Sequence, residues 1–198
     1  MTVLVRLPDV RAPEPVVLSY GRVRLEPWST HHEQQLLQAA QGEDVWRWLT
    51  VPRVIDLADL HRFRDRPRDL AFVVVVDGVA AGSTSYLDVD LAVEGLEIGA
   101  TWYRQDLWGT DVNPTSKLLL LGHAFEELGA ARVTFKTDAL NTRSRAAIAK
   151  LGCAYDGSLR HAQLRGDGSV RDSAYYSMLC DEWAKARDAL VLRITALG

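Results

Sequence analysis

The sequence predicts an α/β (α+β) fold, and three observations carry that prediction. Strand-like alternation at Leu96–Tyr103 and again at Arg132–Thr137 brackets a strongly periodic helix, and a second helix begins at Asn141. Two turns, Asp77-Gly78 and Gly166-Asp167-Gly168, lie between β-rich runs and read as hairpins. The strand, helix, strand, helix, strand order is that of an α/β unit, whose ligands gather outside the carboxyl ends of the strands.

Residues 1–20, with Pro8, Pro13 and Pro15, read as a loose lead segment ahead of one domain spanning 21–198. Arg22–Pro27 alternates like a first strand, and a helix is expected from about Ser29 to Ala40. The stretch from Asp44 to Arg68 is less clear; it contains Trp46, Trp48 and Pro52, with a helical pattern near Leu57, Leu60 and Phe63. Phe72–Val76 is a short β-branched strand, Asp77-Gly78 turns it, and Val79–Leu87 returns.

In Leu96–Tyr103 the apolar positions Leu96, Ile98, Ala100 and Trp102 share one face, which leaves Glu97, Gly99, Thr101 and Tyr103 on the other. After the turn at Gly109, Asn113 suits an N-cap and Pro114 the first helical position. Leu118, Leu121, Phe125 and Leu128 form one apolar stripe, closed by Gly129. The unpaired N–H groups of that first turn, with the positive end of the helix dipole, favour a phosphate or carboxylate. Neither G-x-x-x-x-G-K-[ST] nor the dinucleotide fingerprint is present there. The second helix starts at Asn141-Thr142-Arg143-Ser144, buries Ala147, Ile148 and Leu151, and stops at Gly152. A second hairpin runs from Ser158–Leu164 to Val170–Leu179.

The 198 residues are 47% apolar and 25% charged, which suits one globular core. With 23 basic against 26 acidic residues the formal charge is −3, so a large nucleic-acid footprint is not expected. There is no signal-peptide core and no apolar run near the ~20 residues of a membrane span, so a cytoplasmic location without membrane contact is expected. Cys153 and Cys180 show neither metal spacing nor a disulfide framework and read as small buried residues at strand positions. The five histidines are scattered, and no metal is expected.

From Leu96 to about Met178 the chain resembles the GNAT superfamily of acyl-CoA-dependent N-acyltransferases, within it the branch of ribosomal-protein N-terminal acetylases. The resemblance rests on Glu97-Ile98-Gly99, the Gly109-to-Lys117 turn, Leu118-Leu119-Leu120-Leu121-Gly122-His123-Ala124-Phe125, Lys136 to Ser144, Leu151-Gly152, and Asp167 to Asp172. It implies a mixed, mainly antiparallel sheet with helices on both faces and a splayed strand pair that holds acyl-CoA. Acetyl-CoA would be the cosubstrate. The acceptor would be a primary amine, either a small molecule or a protein N-terminus, and the protein would be a monomer or homodimer.

By the same resemblance the pyrophosphate meets the backbone of Gly109, Thr110, Asp111, Val112 and Asn113, and the pantetheine arm runs beside Thr101, Trp102 and Tyr103. Lys117 and Asn141 complete the expected coenzyme contacts. Asp111 departs from the family, which usually has Gly or Ala there. A carboxylate about 4 Å from a phosphate charge costs up to ~4 kcal/mol at an effective dielectric near 20. Either Asp111 points to solvent or coenzyme binding is weakened, with Lys117 and Arg104 available to offset the repulsion.

Acyl transfer needs a base for the amine and help for the leaving thiolate. Glu97 is the candidate base, acting through a water with its pKa raised in a desolvated cleft; the structural alternative is an ion pair with an arginine on a neighbouring strand. Glu94 is the substitute. The tyrosine that many relatives carry as acid is replaced by Ile148, and Ser144 takes the position near the coenzyme sulfur, or else simply bonds the backbone of its helix. Trp46 and Trp48 are candidates for the acceptor side, and Arg160, His161 and Arg171 for attracting an acidic substrate. A non-catalytic acyl-CoA-binding or sensing module is the alternative function.

Overall fold

The structure, a computed structural model, describes residues 10–67 and 69–197. Its strands are β1 (Leu18–Tyr20), β2 (Val23–Pro27), β3 (Leu70–Val76), β4 (Val79–Asp90), β5 (Gly95–Tyr103), β6 (Arg132–Asp138), β7 (Ala154–Leu164) and β8 (Val170–Leu179). They form one sheet in the order β1-β2-β3-β4-β5-β6-β8-β7, antiparallel except where β6 joins β5. The helices are α1 (Glu33–Ala39), α2 (Glu43–Trp46), α3 (Leu57–Arg64), α4 (Val112–Gly122), α5 (Thr142–Ala149) and α6 (Cys180–Leu197).

The sheet separates two apolar clusters, which explains why β3 is apolar at every position from Phe72 to Val76. Phe72, Val74 and Val76 enter the cluster shared with α4, α5 and α6, whereas Val73 and Val75 enter the one under α1–α3. A strand buried on both faces has no polar side to display. The turn after it has positive φ at both Asp77 (50°) and Gly78 (81°), the backbone that a two-residue hairpin requires.

Several expectations need correction. Of the lead segment, residues 1–9 lie outside the described residues, and the remainder is anchored rather than loose. The Arg11 N–H donates to Leu128 O at 3.0 Å, Val16 and Leu18 pack on the first cluster, and Leu18–Tyr20 pairs with β2. Helix α4 begins at Val112, so Asp111 is its N-cap and Pro114 its third residue. Proline costs nothing there, because the first-turn N–H groups have no intrahelical partner anyway. The helix then widens into a π turn at His123–Glu127, closed by the Leu128 N–H on His123 O at 2.9 Å. The apolar stripe survives that widening, with Leu128 still buried.

β5 does not alternate throughout. Its pairing with β4 slips between Ser85–Gly99 and Ser83–Trp102, and Ala100 there has a φ of 48°. One extra residue in a strand reverses the faces beyond it. Ile98 therefore points into the first cluster, yet beyond the bulge it is Tyr103 that does so, while Trp102 turns into the second. Thr101 accordingly meets the α4 side rather than the face of Glu97.

Helix α6 had no counterpart in the expectations, although Trp183, Ala186, Leu190 and Ile194 recur at helical spacing and are buried. Cys180 is its exposed first residue, not a buried strand position, whereas Cys153 is buried just ahead of β7.

Candidate active site

β5 and β6 share three paired positions, Gly95–Arg132, Leu96–Val133 and Glu97–Thr134, and then part. β6 stays paired with β8 to Asp138 and β5 stays paired with β4 to Tyr103. The inner edges of the two strands are thus released from the ladder, and a cleft of about 430 Å³ opens between them. Glu97 to Tyr103 line one wall, and Phe135, Lys136, Thr137 and residues of α5 line the other. Trp48 to Val51, Gln163 and Arg171 close the far end.

Glu97 stands at the apex, 5% exposed, with Oε2 3.0 Å from Lys136 Nζ. Its partner is thus a lysine of β6 in place of the arginine considered from sequence. Burial pushes the Glu97 pKa up, and the Lys136 charge pulls the other way. Gly99 makes room for this carboxylate: a Cβ there would lie 2.7 Å from Glu97 Oε1 and 2.7 Å from Leu87 Cδ1. Glu94 has a positive φ at the turn before β5, and its main-chain oxygen accepts from Ala131 N at 2.7 Å.

At the other end, Gly109 and Asn113 line the cleft beside the start of α4, while Val112 is fully buried in the first cluster. The Thr110 hydroxyl is spent locally, donating to Leu107 O at 2.8 Å and accepting from Val112 N at 3.3 Å. Asp111 does not face solvent, being 8% exposed. Its carboxylate takes both Nη2 (2.6 Å) and Nε (3.2 Å) of Arg22 on β2, and that guanidinium holds its pKa below the usual carboxylate range. The offsetting cation is therefore Arg22, distant in sequence by 89 positions. Arg104 instead pairs with Asp106 at 2.6 Å.

Lys117 is no solvated charge either. It is 5% exposed, and its Nζ donates to Thr101 Oγ1 at 2.8 Å and Thr84 Oγ1 at 3.1 Å. Burial lowers its pKa from the ordinary value to about 7. Two hydroxyls and no carboxylate are what a neutral amine accepts more readily than an ammonium.

Asn141 caps α5, its Oδ1 accepting the Ser144 N–H at 3.0 Å, and both residues line the cleft with Ala147 and Ile148. Next to them the Arg143 guanidinium lies 3.5 Å from the Trp108 ring centroid. The two tryptophans separate. Trp48 lines the cleft, whereas Trp46 is 4% exposed, its ring 5.2 Å from that of Trp102 and its indole N–H donating to Ala40 O at 2.9 Å. Trp46 is core.

Among the described residues one group brings three metal-ligating side chains together, Glu26, His31 and His32. His32 Nδ1 accepts the Ser29 N–H at 3.3 Å, which leaves the proton on Nε2 facing Glu26 Oε2 at 3.2 Å. A ligating His32 would need the opposite tautomer. No helix among the described residues is long and apolar enough to cross a membrane.

Sheet order, parted strand pair and flanking helices together define an acetyltransferase fold. The acetyltransferase (GNAT) domain family matches residues 22–154, and the chain belongs to that family. It is 28% identical over 168 residues to YdaF of Bacillus subtilis (strain 168), whose name assigns it to ribosomal N-acetylation; the match spans 80% of this chain and 90% of YdaF. A protein from T. thermophilus, whose crystal structure is described as that of an acetyltransferase, is 32% identical with a TM-score of 0.84, covering 92% and 98% of the two chains. RimJ of Mycobacterium smegmatis, solved with CoA-disulfide, shares the fold at a TM-score of 0.78 and 21% identity over 90% and 95%.

Proposed function

We propose that the protein transfers an acetyl group from acetyl-CoA to a primary amine, of a small molecule or a protein N-terminus. The observation that carries this reading is the parting of β5 and β6 beyond Glu97, which joins the N-terminal turn of α4 to a buried carboxylate through one cleft. When bound, acetyl-CoA supplies a thioester carbonyl open to attack by an amine. The first-turn N–H groups near Gly109 and Asn113 bind its diphosphate, and the free edge of β5 bonds its pantetheine arm. Glu97, its basicity raised by burial, takes the amine proton through a water. Ser144, at the first turn of α5, offers its hydroxyl to the departing thiolate, and Asn141 holds that turn in place. Trp48 borders the acceptor end.

Free-thiol release from acetyl-CoA against a panel of amines tests this. Turnover is expected with the wild type, and Glu97→Gln should bind coenzyme A equally well while reacting ~10²- to 10⁴-fold more slowly. Binding of coenzyme A without turnover for every amine would favour a sensing module instead.

A further inference from the structure

We infer that Arg171 binds a carboxylate of the acyl acceptor, so that the substrate amine carries an acidic group close to its nitrogen. This deepens the acetyl-transfer reading and rests on it. Arg171 is 6% exposed, at the cleft end formed by Trp48–Val51 and the β7–β8 hairpin. Gly166 fixes that junction: its N–H donates to Leu49 O at 3.0 Å, and a Cβ there would fall 2.0 Å from Val51 O. Beside that junction the guanidinium bonds one main-chain carbonyl, Trp48 O, and two side chains.

Its three hydrogen bonds all go to neutral acceptors: Trp48 O at 2.9 Å, Gln163 Oε1 at 2.8 Å and Ser173 Oγ at 3.3 Å. The buried carboxylates around it are already taken. Asp138, with no exposure, pairs with Arg165 at 2.6 Å, and Glu97 pairs with Lys136 at 3.0 Å. A buried guanidinium without a counter-ion is costly, and five N–H groups outnumber three bonds. A carboxylate arriving with the acceptor would supply the missing charge and use the remaining donors. Glu97 and Arg171 line the same cleft. Opposite charges at two points of one cleft would orient an amino acid, or a peptide beginning with Asp or Glu, with its amine toward Glu97.

The test compares kcat/KM for acceptors matched except for charge, in two arms: free amino acids against their amides, and peptides starting with Asp or Glu against those starting with Asn or Gln. The acid of each productive pair should be favoured about 10- to 100-fold, mostly through KM. Arg171→Gln should abolish the preference; if that variant does not fold, Arg171→Lys, which keeps the charge without the fork, should reduce it. The arm that shows the preference tells a free amino acid from a peptide. Equal use of acid and amide by the wild type, or a preference that survives in Arg171→Gln, overturns the assignment. Should no amine release thiol, the transfer reading falls instead. The subsite is then decided by melting temperature: the coenzyme-loaded protein should be stabilised by the acids and not by the amides.

Discussion

The Glu97–Lys136 pair sets the pH at which the proposed reaction runs. Burial raises the Glu97 pKa and Lys136 restrains it, so activity should fall as pH drops through that raised value. Lys136→Met removes the restraint; the acid limb of the kcat/KM profile should then move to higher pH, which a pH series in both proteins measures. Lys117 acts with the opposite chemistry. Its folded pKa of about 7 lies below the ordinary 10.5, so between those values the unfolded chain holds a proton that the folded one lacks. Stability should therefore rise across that interval, and denaturant titrations of Lys117→Met should show a flatter rise. Asp111 and Arg22 make a third pair. Arg22→Met should weaken coenzyme A binding by freeing a carboxylate beside the α4 turn, and adding Asp111→Asn should restore it, a cycle readable by calorimetry.

At the scale of elements, what could be read from the residues was what local periodicity encodes. The strand–helix–strand order from Leu96 onward, the Asp77-Gly78 turn and the capping of α5 by Asn141 all depend on neighbours in sequence, and all are present. The cleft lining of Glu97, Gly109, Asn113, Ser144 and Trp48 was likewise within reach. The Arg22 partner of Asp111 was not, because it crosses 89 positions. Nor was the bulge at Ala100, since a single inserted residue leaves composition unchanged while reversing every face beyond it. That is why Thr101 was placed beside Glu97 and meets Lys117 instead. A left-handed residue other than glycine is strained by about 1 kcal/mol or more. Ala100→Gly should accordingly keep or raise the melting temperature, whereas a β-branched residue there should lower it.

Across the whole molecule, the sheet is a partition with separate packing on each side. α4–α6 close one side and α1–α3 the other. Leu190, 2% exposed on α6, belongs to the first cluster, and Leu190→Ala should cost about 2–5 kcal/mol in chemical denaturation. At the parting of β5 and β6 the sheet's own ladder has only three rungs. The chain from β1 to β5 and the chain from β6 to α6 therefore meet along an incomplete seam. A ligand lying in that seam and bonding both edges would serve as a substitute strand, stitching the halves into one cooperative unit. Amide exchange should then slow on coenzyme A binding at residues 98–103 and 135–138 together, far from any phosphate, and the two halves should lose their structure at a single shared temperature.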